Sequence, residues 1–166
     1  DKLKRILAAE RLVEGSHDYK AAIALYDRFP KAELLAAPVE DLQRIVKTLI
    51  GTAPNEVRWV GRGARHGRAA SLAALLPRER LSVDLMQRLR TMVAGAYKTE
   101  QVELQEVHDD DGRALLHLTV RSEHPLPDVD LAVLEDELRR ISRTWGDRVT
   151  ELLEQLPDDA GGAALA

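Results

Sequence analysis

The chain of 166 residues has no cysteine, few aromatic side chains (4%) and no long apolar run. The absence of cysteine excludes disulfides, iron–sulfur clusters, thiolate zinc sites and cysteine nucleophiles. The longest apolar stretch, Ala69–Pro77, is far shorter than the roughly 18 residues that a membrane span needs. No basic segment followed by an apolar one comes after Asp1, so no secretion signal is visible. Because the chain does not begin with Met, we expect it to be a piece of a longer protein.

Motifs that carry chemistry are also missing. The sequence has no dinucleotide-binding glycine pattern, no P-loop, no nucleophile elbow and no H-E-x-x-H. The run Asp109–Asp111 before Gly112 lacks the distal glutamate of a calcium loop. The histidines are scattered, without the spacing of metal ligands: His17, His66, His108, His117 and His124. We therefore predict no catalytic, cofactor or metal site in this chain.

Charge is unevenly distributed along the chain. The formal net charge is −4, but residues 56–98 carry +6 and residues 99–166 carry −11. A basic segment followed by an acidic one indicates either an anion-binding face or two regions that pair with each other. We favour internal pairing, because charge runs are usually solvated faces or internal partners.

Helical periodicity dominates residues 1–53, which we predict to be a helical segment. The first helix should carry Leu3 to Val13 and end at Gly15. A second helix, capped by Ser16 or Asp18, should end at Pro30, and a third should run from Pro38 to Gly51.

Residues 54–157 alternate hairpins and helices. Strands are predicted around Val57–Arg62, Arg68–Leu76, Val102–Val107 and Arg113–Arg121, with helices after Ser82 and from Leu131 to Leu156. The order β-β-α-β-β-α predicts an α+β fold, a ferredoxin-like (ACT-like) sandwich with a four-stranded antiparallel sheet and both helices on one side.

Two further expectations follow from this order. The sheet face without helices needs a partner, which is either the N-terminal helices or another copy of the domain. His117 lies on that face and is predicted to be a surface or partner-facing residue. Residues 158–166 are expected to be a flexible tail.

Basic side chains gather around the first hairpin. The candidate patch for an anion or an interface contains Arg58, Arg62, Arg65, His66 and Arg68. Nucleic acid is a weak candidate ligand, because Trp59 is the only stacking ring that the strands offer. The structural alternative, which we favour, is pairing with the acidic last helix or with a neighbouring domain.

Several motifs, in order and at matching spacing, resemble the large bacterial NAD-dependent (NAD-specific) glutamate dehydrogenases. They occupy Asp27–Leu34, Val57–Arg62, Leu76–Leu81, Leu126–Asp130 and Arg143–Asp147. The resemblance implies a non-catalytic piece of the N-terminal region of such an enzyme, among its ACT-like regulatory modules. The parent would oxidise L-glutamate to 2-oxoglutarate and ammonia with NAD, and its catalytic and NAD-binding residues would lie outside this chain.

The resemblance also implies a role and partners. We expect domain packing within the same chain, assembly into a homo-oligomer and a cytoplasmic location. Sensing of a small amino acid is a weaker expectation, because the loops that ACT modules use, here Pro77–Ser82 and Ser122–Asp128, contain no glycine. The alternative is a free-standing binding module for an anionic ligand or nucleic acid.

Overall fold

The computed structural model describes residues 2–62, 67–108 and 112–143. Six helices lie in these ranges: α1 (Lys2–Ala9), α2 (His17–Arg28), α3 (Lys31–Ala36), α4 (Val39–Ile50), α5 (Val83–Tyr97) and α6 (Leu131–Ile141). Four strands accompany them: β1 (Arg58–Arg62), β2 (Ala69–Pro77), β3 (Val102–His108) and β4 (Arg113–Arg121). No helix in the described part of the chain is long and apolar enough to span a membrane.

In the helical segment, α2 and α4 agree with the prediction, whereas α1 and α3 differ from it. Ser16 caps α2 by accepting a hydrogen bond from the Tyr19 N–H, and Pro38 precedes α4. The prediction that the first helix reaches Gly15 is wrong: α1 ends at Ala9, because Arg11 takes a left-handed conformation with φ 53°. Helix α3 was not predicted, since its six residues are too few for a periodic signal.

Helix α3 is held in place from outside. The Lys2 ammonium donates to the carbonyls of Leu34, Leu35 and Ala37 at 2.7–3.0 Å. These carbonyls end the helix and lack partners within it, so the lysine satisfies them and complements the helix dipole. Behind α3, an apolar cluster joins α1, α2 and α4, including Ile6, Ala22, Leu42 and Val46.

The predicted sheet is confirmed. Its strand order is β1-β2-β4-β3, and every neighbouring pair is antiparallel. This is the order expected for a circular rearrangement of the ferredoxin-like plan. Gly61 is required in β1, because a Cβ there would lie 2.6 Å from Leu72 Cδ2 and 2.9 Å from the Ser71 carbonyl oxygen.

Helices pack against both faces of the sheet. Helices α5 and α6 pack on one face, over a core that includes Leu72, Leu116 and Leu118. The N-terminal helices pack on the other face through a second apolar cluster. It consists of Leu25, Phe29, Ile45, Leu49, Val60, Ala73, Leu75 and Leu115. Of the two partners predicted for this face, the structure therefore contains the helical segment.

Helices α5 and α6 begin at side-chain caps. Ser82 Oγ accepts from the Leu85 N–H and Asp130 Oδ1 accepts from the Ala132 N–H. Helix α6 ends at Ile141 with Ser142 as its C-cap, so the prediction of one unbroken helix from Leu131 to Leu156 is wrong at this point. Residues 144–156 and the predicted tail 158–166 lie outside the described residues.

Candidate functional site

The three described arginines of the predicted basic patch, Arg58, Arg62 and Arg68, have different surroundings in the fold. Arg65 and His66 lie outside the described residues. Arg58 turns toward the acidic helix α6, where its Nη1 lies 3.3 Å from Glu135 Oε1. Arg58 also approaches Glu56, at 3.4 Å. Arg58 is therefore paired with the last helix, as the structural alternative predicted.

Glu135 shows why this contact matters for the fold. Its carboxylate accepts the backbone N–H of Trp59 at 2.7 Å, and it also pairs with Arg139. The side chain of Glu135 is only 13% exposed. Strand β1 is an edge strand, so a side chain from α6 satisfies a backbone donor that no neighbouring strand reaches.

Arg62 turns in another direction, toward the helical segment. Its Nη2 lies 3.6 Å from Oε2 of Glu33, which belongs to α3 and is 8% exposed. Two atoms of this pair are buried without a hydrogen-bond partner among the described residues, Arg62 Nε and Glu33 Oε1. The ion pair is therefore loose and incompletely satisfied.

Beneath Glu33, the sheet contributes a second polar pair. His117 Nε2 lies 2.9 Å from Ser71 Oγ, and the ring of Phe29 meets the imidazole edge-on at 6.1 Å. His117 is 4% exposed, so the prediction that it faces a partner is right, but the partner is the helical segment and not solvent. Burial lowers the pKa of His117, and the negative charge of Glu33 opposes this by raising it.

Arg68 lies just before β2, next to the loop Ser122–Asp128, for which ligand binding is the weaker of our two expectations. The carbonyls of Gly67 and Arg68 accept from the N–H groups of Leu126 and Ser122, at 2.8 and 2.9 Å. The loop 122–128 is thereby fixed along the end of the sheet. The guanidinium of Arg68 is exposed and makes no ion pair with a described residue.

A groove of about 790 Å³ opens between α4, the first hairpin and the loop before α6. Its charged lining comprises Asp41, Arg44, Arg62, Arg68 and Asp128. Arg44 donates to Asp41 Oδ1 at 3.1 Å and to the Gly61 carbonyl at 3.2 Å. Arg44 is paired with Asp41, and Arg62 is paired with Glu33. Among the described lining residues, Arg68 and Asp128 are therefore the opposite charges that remain without an ion pair.

Asp128 acts on the core as well as on the groove. Tyr97, at the end of α5, is buried, and its hydroxyl has no partner among the described residues. Burial raises the pKa of Tyr97, and the charge of Asp128 raises it further. Asp128 therefore lies close enough to the end of α5 for its charge to act on the Tyr97 hydroxyl.

Sequence reasoning found part of this groove. Arg62 and Arg68 belonged to the predicted patch, and the loop 122–128 was expected near a ligand. Arg44 and Asp41 were missed, because on α4 they read as an ordinary solvated helix face. The second expected loop, Pro77–Ser82, lies at the other end of β2 and does not line the groove.

The described residues contain no cluster of side chains that could hold a metal ion. Ser71 and His117 form a hydroxyl–imidazole pair, but both side chains are buried between the helical segment and the sheet. A substrate could not reach them there. The groove is therefore the candidate site, and its chemistry is recognition of charge.

Comparison with known protein families assigns both parts of the chain. Residues 58–146 match the family described as glutamate dehydrogenase, ACT2 domain, and residues 1–53 match glutamate dehydrogenase, helical motif 1. No curated protein sequence matches the chain. The ACT2 match covers more than half of the residues, and the four-stranded antiparallel sheet agrees with it. The chain therefore belongs to the glutamate dehydrogenase ACT2 domain family, with a helical motif 1 segment in front of the ACT2 unit.

Proposed function

We propose that this chain is a non-catalytic structural and regulatory part of a large NAD-dependent glutamate dehydrogenase. The parent converts L-glutamate and NAD to 2-oxoglutarate, ammonia and NADH, with NAD bound elsewhere in the enzyme. In this proposal the chain packs against other domains of the same polypeptide and helps to assemble a homo-oligomer in the cytoplasm.

One observation supports the structural part of this role most strongly. The helical segment covers the second face of the ACT2 sheet with an apolar layer that includes Phe29, Leu49 and Leu115. Burial of such side chains contributes about 1.5–3 kcal/mol each, so the two parts stabilise each other. A unit that carries its own cover can hold a fixed orientation between neighbouring domains.

The test of this role uses the isolated chain and the full-length enzyme together. The isolated chain should fold cooperatively and show no glutamate-dependent reduction of NAD. In the full-length enzyme, Leu49→Ala should lower the unfolding temperature and promote dissociation of the oligomer, with the KM for glutamate unchanged. Turnover by the isolated chain would contradict the proposal directly.

The groove supports a second, regulatory part of the proposal. Arg68 and Asp128 line the same groove, carry opposite charges and do not pair with each other. A zwitterion can place its carboxylate at the arginine and its ammonium at the aspartate, which favours a small amino acid as the effector.

Calorimetry of the chain with a panel of amino acids tests this part. Binding should weaken in Arg68→Gln and in Asp128→Asn, and it should be unchanged in Arg58→Gln, because Arg58 is held by Glu135 outside the groove. A free-standing binder of anions or nucleic acid would instead bind oligonucleotides with a steep salt dependence. Gel-shift titration at low salt distinguishes the two.

A further inference from the structure

The side chain of Arg62 lies between the groove and the buried carboxylate of Glu33. Arg62 lines the groove with a side chain that is 34% exposed, and on its other side it faces Glu33 of α3. Its Nη2 is 3.6 Å from the carboxylate, longer than a hydrogen bond between charged groups, and its buried Nε finds no acceptor among the described residues. The guanidinium is therefore held only loosely by Glu33, and its side chain is partly exposed where Arg62 lines the groove.

Glu33 depends on Arg62 because little else neutralises it. The carboxylate is 8% exposed, and its Oε1 has no donor among the described residues. A buried carboxylate that loses its cation is strongly destabilised, and taking up a proton nearby is the usual compensation.

His117 is the group placed to take that proton. Arg62, the partner of Glu33, lies directly opposite Ser71 in the register of β1 and β2, and Ser71 Oγ lies 2.9 Å from His117 Nε2. The negative charge of Glu33 also acts on the imidazole, since it raises the pKa of His117. Two uncharged groups contact the imidazole, the Ser71 hydroxyl from β2 and the ring of Phe29 after α2. Among the described residues, the charged groups that act here are Glu33 and its partner Arg62.

We propose that an anion bound in the groove competes with Glu33 for the guanidinium of Arg62, and that its binding is coupled to protonation of His117. The inference rests on the groove being the ligand site of the proposed function. When Arg62 turns to the anion, Glu33 loses its cation, and a proton on His117 compensates the exposed negative charge. Coupling is reciprocal, so acidification strengthens anion binding by the same factor by which the anion favours the protonated imidazole.

The coupling crosses the contact between the two parts of the chain. Glu33 belongs to the helical segment, whereas Arg62 and His117 belong to the ACT2 unit. Occupancy of the groove would therefore change how firmly α3 is held on the sheet. This gives an effector a physical route to the packing of the helical segment.

The experiment follows the histidines of the 166-residue chain by NMR from pH 5 to 8, in sodium sulfate and in sodium chloride of equal ionic strength. Sulfate is the probe because its charge is constant over this range. Sulfate should raise the titration midpoint of His117 by about 0.5 pH unit, which corresponds to about threefold in sulfate affinity. His124 is exposed and serves as the control within the same spectra.

Two variants separate the proposed route from a general salt effect. Glu33→Gln removes the charge that must be compensated, so the sulfate-induced shift of His117 should vanish. Arg58→Gln removes a nearby arginine outside the groove and should leave the shift intact. Circular dichroism confirms that each variant is folded, and the wild-type titration alone already tests the coupling.

The coupling is overturned if the His117 midpoint is the same in sulfate and chloride, or if His124 moves by an equal amount. It is also overturned if Glu33→Gln retains the shift. None of these outcomes removes the effector proposal, which the amino-acid calorimetry of Arg68→Gln and Asp128→Asn decides independently.

Discussion

Glu135 offers the sharpest test of how the ACT2 unit is held together. The residue lies on α6, yet its carboxylate accepts the Trp59 N–H of edge strand β1 at 2.7 Å and pairs with Arg58 at 3.3 Å. Glu135→Ala removes all of these contacts at once. In the part of the chain that the structure describes, β1 has β2 as its one hydrogen-bonded neighbour, so no second strand there accepts the Trp59 N–H.

The expected loss of stability has two parts. Leaving the buried Trp59 N–H without an acceptor costs about 1–3 kcal/mol. The ion pairs with Arg58 and Arg139 contribute less, about 0–1 kcal/mol. Both arginine side chains are more than a third exposed, so solvent screens their attraction to Glu135. A total near 2 kcal/mol corresponds to a fall in Tm of about 4–8 °C for a chain of this size.

Urea unfolding followed by circular dichroism measures this loss, with two matched variants on the same helix. Glu137→Ala removes an exposed glutamate whose one partner among the described residues is Arg140 on the same helix, and it should leave stability unchanged. Glu135→Gln keeps an oxygen that can accept the Trp59 N–H and should lose less than Glu135→Ala. If Glu135→Ala and Glu137→Ala were equally stable, the assigned role of the Glu135 carboxylate would be refuted.

Three further predictions concern the sheet. Gly61→Ala should lower Tm severely, because the new Cβ would lie 2.6 Å from a carbon of Leu72. A Tm unchanged within about 2 °C would contradict the close strand approach. Leu115→Ala should cost about 2–5 kcal/mol in urea unfolding, and a loss below about 1 kcal/mol would show that the helical segment is not docked there. Stability should also fall as pH falls below about 6.5, the ordinary histidine pKa, because burial lowers the pKa of His117 in the folded chain and the unfolded chain then binds more protons. His117→Gln should flatten that dependence, and a pH profile identical to that of the wild type would contradict it.

The sheet and its helices could be predicted because their signals are local. In β4, Ala114, Leu116, Leu118 and Val120 alternate with residues of the other face, and the structure places these four in the core under α5 and α6. The caps Ser82 and Asp130 stand directly before apolar helical stripes. Such patterns depend on residues one to four positions apart, so a single sequence contains them in full.

The groove depends on contacts that no local pattern contains. Arg44 and Gly61 are brought together by docking α4 beside β1, and their hydrogen bond joins positions 17 residues apart. Asp128 lines the same groove although it lies far from Arg44 and Gly61 in the sequence. Likewise, α1 ends before Leu12 because the chain reverses at Arg11, where a left-handed φ overrides the apolar spacing.

The polarity of the strand residues nevertheless indicates how much of the sheet the helical segment covers. Strand β2 is apolar almost throughout and buried on both faces, which requires partners on both sides of the sheet. Strand β3 differs: Glu103 and Gln105 lie on the same face as His117 and are exposed. The cover therefore reaches across β1, β2 and β4 and leaves Glu103 and Gln105 of β3 exposed. A domain or second copy that packs on these two side chains would have to recognise hydrogen-bonding and charged groups there, and the apolar contacts would remain those of the helical segment.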